Sequence, residues 1–342
     1  MKRVNDFLSF EKFTQKTNQA IYPKLKTLVD EAVEPYLPEI KKINIWFWSL
    51  LGSGLFLLLL TAILFSRFQK SIIISSFGFI GLCLLILSFV FRRLKNKKYQ
   101  LIATEIFAKT NLEQIYATAL ESNELEWKIW KPKSSEIHEF LEKIKAPDFW
   151  RAAPGIPSRA KKHSWEVKWA FSIREKYQGM LVQVVWIERI AKKDHVEIVY
   201  HYDYKVFLDT SALKSEGAYF EINSNLWGLE KQKLENDQFN KMFRLRSNDD
   251  LSMRKIFTPY SQEVCVNRQI DNDYSIIKKI NILATPEIML TSFVGTKFNF
   301  ELRSFNTSNS SKIIRTIYDQ SILDLYTLYF ILSFYDIPIY LK

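Results

Sequence analysis

The chain has 342 residues, 47% hydrophobic and 15% aromatic, with 48 Lys+Arg against 37 Asp+Glu. The basic excess is local: residues 1–98 hold 15 Lys+Arg and 6 Asp+Glu, whereas residues 99–342 hold 33 and 31. A nearly neutral C-terminal part argues against a nucleic-acid partner, and two cysteines are too few for a disulfide framework.

Residues 1–42 form a polar N-terminal segment with one amphipathic helix. Leu25, Leu28, Val29, Ala32, Val33, Tyr36, Leu37 and Ile40 recur at three- and four-residue steps. Pro35 and Pro38 are expected to kink or break it. Its polar face is mixed in charge, which favours packing on the chain itself over lying on a bilayer.

Two charge-free apolar runs follow, Ile43–Ser66 and Ser71–Phe91. Roughly 20 apolar residues cross a hydrocarbon core about 30 Å thick, so each run is long enough to span it. Arg67-Phe68-Gln69-Lys70 leaves room only for a tight turn, which predicts a helical hairpin. Basic residues gather outside it, at Lys41-Lys42 and at Arg92, Arg93, Lys95, Lys97 and Lys98. By the positive-inside rule both termini are cytoplasmic, in a multi-pass protein of the cell membrane. Trp46 and Trp48 fall at headgroup level. The 42 largely polar residues ahead of the first run argue against a cleaved signal peptide. Arg92, Arg93, Lys95, Lys97 and Lys98 also predict attraction to anionic lipid, about 1 kcal/mol for each basic residue near the surface. Neither run carries a charge at depth, so the two helices could line a pore only as a homo-oligomer.

Residues 92–122 read as a basic juxtamembrane segment and a second helix, with Leu101, Ile102, Ile106, Phe107, Leu112, Ile115, Tyr116 and Leu120 on its apolar side. This stripe and that of the first helix are expected to cover each other.

Residues 123–342 are long enough for a substantial core. Residues 145–162, with Pro147, Pro154, Gly155 and Pro157, read as an irregular connection. In Ser164–Arg174 the odd positions Trp165, Val167, Trp169, Phe171 and Ile173 are apolar, which predicts a strand with all five on one face. Met180–Ile190 and His195–Leu208 follow after short links and complete an antiparallel meander. Leu229–Phe243 has helical spacing, Asp249–Phe257 reads as a short helix, and Pro259 opens the next. Strands are expected at Lys279–Ala284, Ile288–Val294 and Lys297–Leu302. Ile313–Tyr335 closes the chain as a helix. Asp319, Asp324 and Asp336 leave too short an apolar run for a third span, so this helix is expected in a core. The fold class is α+β: a two-helix transmembrane hairpin, then a cytoplasmic domain with a largely antiparallel sheet and packed helices.

Two sequence blocks resemble a known family. One is Leu234-Glu235-Asn236-Asp237-Gln238-Phe239-Asn240-Lys241-Met242-Phe243 with Met253-Arg254-Lys255-Ile256-Phe257-Thr258-Pro259; the other is Asp203-Tyr204-Lys205-Val206-Phe207. They are similar to an acidic Phe-containing helix, a Thr-Pro helix start and an Asp-initiated strand in an uncharacterised bacterial membrane-anchored family, domain of unknown function 3137. The similarity covers most of residues 95–342, and residues 130–195 depart from the family pattern. The resemblance implies topology and architecture, and it lends no activity or catalytic residue.

His201 and Asp203, two apart on a strand, share a face, and His195 falls on the same face. These three are the candidates for a metal or acid–base site. No carboxylate or cysteine cluster at ligand spacing accompanies them, so the competing reading is a solvated sheet edge. Cys83 lies in the second span, and Cys265 has no neighbouring ligand in sequence. Phosphate loops, nucleophile elbows and dinucleotide fingerprints are absent, so no catalytic residue and no cofactor is assigned. With no visible site, the expected function is a membrane-tethered interaction or scaffold module for an unidentified protein partner. The alternative is a membrane-anchored enzyme with a metal-dependent site.

Overall fold

A computed structural model describes residues 7–67, 72–143, 153–213, 219–271, 275–302, 305 and 307–340. The chain is α+β, with two long apolar helices in its N-terminal part and a nine-stranded antiparallel sheet plus helices after them, among the described residues. It divides into two compact units, each gathered from non-contiguous segments. The linear segments 1–42, 92–122 and 123–342 do not contain this grouping.

The helical unit takes Tyr22–Asn111 and Leu302–Tyr318. Helix α1 (Phe10–Val33), in this unit from Tyr22 on, leads through a 3-10 turn at Glu34–Tyr36 into α2 (Leu37–Arg67). Pro35 sits in that turn and Pro38 in the first turn of α2, where a missing N–H breaks no helical bond. Helix α3 (Ile72–Lys109) continues without a break through the basic segment. The predicted turn at 68–70 lies outside the described residues.

Helices α2 and α3 meet along small residues. A Cβ on Gly54 would lie 2.9 Å from the Gly81 carbonyl oxygen, and one on Gly78 would lie 3.2 Å from Thr61 Cγ2. Such close approach suits membrane helices, where packing replaces the hydrophobic effect as the driving force. Thr61 and Ser88 donate to Leu57 O and Leu85 O of their own helices. Only 11% of each apolar stretch is buried, and Phe56, Leu59, Phe79 and Phe89 are exposed. A core helix of a soluble protein would be mostly buried, so both helices fit a membrane span by length, composition and exposure. Beyond the apolar stretches, Leu25, Val29 and Val33 of α1 and Ile102 and Ile106 of α3 are buried, so neither stripe remains open.

The sheet unit takes Met1–Ile21, Leu112–Glu301 and Asp319–Lys342. It contains α4 (Leu112–Ser122), β1 (Trp127–Trp130), α5 (Ser134–Lys143), β2 (Lys161–Ile173), β3 (Tyr177–Ala191), β4 (Val196–Asp209) and β5 (Phe220–Ile222). Then come β6 (Glu230–Lys231), α6 (Asp237–Met242), β7 (Leu245–Ser247), α7 (Asp250–Ile256), α8 (Pro259–Ile270), β8 (Ile282–Ala284), β9 (Ile288–Gly295) and, from Asp319, α9 (Ser310–Tyr340). The strand order is β1-β2-β3-β4-β9-β8-β5-β7-β6. On one face, Phe140 of α5 packs on Val182, Val184, Phe207 and Leu290. On the other, Trp169 meets Tyr116 of α4 edge-on at 5.2 Å, and Tyr335 of α9 donates to Val206 O at 2.7 Å.

Side chains cap the short helices. Asn236, Asp249 and Thr258 each accept from the amide three residues on. The run Leu325–Tyr335 of α9 is wholly buried in the sheet unit.

Three sequence expectations are corrected. In β2, Val167 lies opposite Val182 and Trp169 opposite Leu181, so a bulge at Lys168 reverses the alternation. Trp165 and Val167 therefore face α5, and Trp169, Phe171 and Ile173 face α4 and α9. Residues 297–302 form a turn rather than a strand. Asp324 of α9 holds that turn, accepting from Asn299 Nδ2 at 2.9 Å and from Phe300 N at 2.6 Å. Finally, the helix expected over Leu229–Phe243 shrinks to α6, because Glu230 and Lys231 pair with β7.

Candidate functional site

The meander β2–β3–β4 carries the residues singled out in the sequence. His195 lies just before β4 and is exposed, and its carbonyl accepts from Lys192 N in the β3–β4 turn. His201 and Asp203 both point to the α5 face of β4. Diagonally across from His201, Glu188 of β3 is 4% exposed in its side chain and accepts from His201 Nε2 at 2.8 Å. Arg159 Nε donates to the same carboxylate. The bonds from His201 and Arg159 hold the Glu188 carboxyl below the usual carboxylate range against the opposing effect of burial.

Asp203 belongs to a different pair. Lys205 Nζ lies 2.9 Å from Asp203 Oδ2 and donates to Ser292 Oγ at 3.0 Å, and both side chains are fully buried. Burial pushes the Asp203 carboxyl up to about 6 despite the ammonium beside it, and burial lowers Lys205 despite the carboxylate. The solvated-edge reading therefore fails for Asp203. The signal was present in Asp203-Tyr204-Lys205, since an i, i+2 pair on a strand shares a face. Among the described residues, no group of three His, Cys, Asp or Glu side chains is gathered for a metal.

Among the recesses elsewhere in the described residues, two are notable. One of about 210 Å³ is lined in part by Tyr260, Asn267, Arg268 and Asp271. Arg268, which the sequence did not single out, donates to Ser333 Oγ, Leu8 O and Tyr326 OH, with its guanidinium 4.9 Å from the Tyr329 ring centre. This clasp joins the irregular segment at Leu8 to α8 and α9. The other, about 490 Å³, lies along the start of α2 between Lys41 and Trp48. Cys265 is buried, which pushes its thiol up and makes it a poor nucleophile.

The sheet also has an open segment. Strand β9 pairs with β4 from Asp209 back to Tyr202, opposite Gly295, and ends there. Among the described residues, Val196–His201 thus has a strand neighbour only on the β3 side. Val196, Ile198 and Tyr200, which point to the face opposite α5, are 60%, 51% and 51% exposed. No family model matches the chain, and the searches of curated proteins and of solved structures give no match.

Proposed function

We propose that the chain is a membrane-anchored interaction module, held in the cell membrane by the α2–α3 hairpin with both termini cytoplasmic. The observation that carries this reading is the open β4 segment. Among the described residues it offers backbone groups without a strand partner beside three exposed apolar side chains, the chemistry by which an added strand binds a sheet. The basic flank Arg92, Arg93, Lys95, Lys97 and Lys98 supports the orientation and an affinity for anionic lipid. The resemblance to the uncharacterised membrane-anchored family adds support for topology alone.

A membrane-anchored enzyme is favoured only by the Arg159–Glu188–His201 cluster, which has no third His, Cys, Asp or Glu gathered beside it among the described residues. The test is a photo-crosslinking amino acid at Tyr200 of the full chain in native membranes. A discrete protein adduct, missing when the label is moved to the exposed Lys193, is expected. Equal or absent labelling at both positions would remove the interaction reading.

A further inference from the structure

We infer that the open β4 segment pairs antiparallel with the same segment of a second copy about a two-fold axis through Val199. This rests on the interaction reading and names its partner.

The edge lacks the devices that keep edges unpaired. Val196-Glu197-Ile198-Val199-Tyr200-His201 contains no lysine, no proline and one fixed charge, Glu197. Monomeric sheets commonly blunt such edges with lysine, proline or a bulge, and the β3–β4 register runs without a shift from Ala191↔Val196 to Gly179↔Leu208. A straight, apolar, unprotected edge is what strand addition requires.

Chemistry selects the partner and the register. In an antiparallel pair about a two-fold axis normal to the sheet, opposed residues come from the same face. An axis through Val199 sets Glu197 opposite His201 of the second copy, Ile198 opposite Tyr200, and Val199 opposite itself. Each Glu197 carboxylate, paired with Lys192 in its own chain, then meets the imidazole whose Nε2 binds Glu188, and the exposed apolar side chains meet one another. An axis through Ile198 would set Glu197 against Val199 and lose the polar match. The segment is thus complementary to itself, as an isologous interface demands. Tethering both copies in one bilayer raises their effective concentration and lowers the entropic cost of association.

The experiment uses the full chain in native membranes. Opposed Cα atoms in an antiparallel pair are about 4.5–5.5 Å apart, within disulfide range. Val199→Cys should give a disulfide-linked dimer as the main product under mild oxidant, and Ile198→Cys at least about fivefold less. Mixed Ile198→Cys and Tyr200→Cys copies should link to each other. The wild-type chain, which keeps Cys83 and Cys265, sets the background. A Val199→Cys chain that melts like wild type yet links no more than wild type overturns the inference. If the Tyr200 photo-adduct is then a different protein, the interaction reading survives and the second copy does not. If no adduct forms either, both fall.

Discussion

Asp203 and Lys205 stand two apart on β4, fully buried, and burial works against both charges. A carboxyl pushed up to about 6 in the folded chain, against about 3.9 when unfolded, contributes most to stability below pH 4. That contribution is lost as pH rises through 6, because the folded chain then ionises a group it holds in a dry site. The gap of about two pH units corresponds to about 3 kcal/mol. Asn cannot ionise, so the stability of wild type relative to Asp203→Asn should fall by about that amount between pH 4 and 7. Urea unfolding of the detergent-solubilised chain at a series of pH values reads this directly, and a flat difference would show that the pair does not titrate as its burial dictates.

Elements fail or hold by their contacts as much as by their residues. One bulge in β2 sends Trp169 to the α4 and α9 face while Val167 stays on the α5 face, although both sit at odd positions. The α2–α3 hairpin depends likewise on two glycines. A Cβ on Gly81 would lie 3.1 Å from Gly54 O and 3.2 Å from Leu57 Cβ, so a leucine there must part the helices. Overpacking of this kind costs about 1–3 kcal/mol. Gly81→Leu should therefore lower the thermal aggregation midpoint of the full chain in mild detergent. Gly52→Leu should leave it unchanged, since nothing lies within 4 Å of a Cβ at that position. Equal behaviour of the two would mean that the glycines do not mark the helix contact.

The whole molecule is organised by where its apolar surface goes. In the sheet unit it is folded inward, while α2 and α3 leave theirs outside, which water does not tolerate over such lengths. The proposed orientation follows from the Lys/Arg flanks. A cysteine placed at Gln69 should react with an impermeant thiol reagent on intact cells, and one at Asn309 should react only after lysis. The opposite pattern would invert the topology.

The sequence by itself determined the two long apolar helices, the α+β class, the β2–β3–β4 meander and the helix starts at Asp249 and Thr258. All of these are local: charge-free length, alternation, or a side chain reaching an amide three residues away. It could not place β5 or β7, three residues each, because so short a strand shows no period and exists only through its neighbours. Nor could it show that the Asp203–Lys205 pair would lie under a buried sheet face while His201 turned to Glu188. The open edge of β4 was equally out of reach. It exists because β9 stops at Gly295, opposite Tyr202, and a strand's pairing partners come from distant parts of the chain. Local preference writes an element into its own residues, whereas burial, ion pairing and edge exposure depend on what the rest of the chain brings beside it.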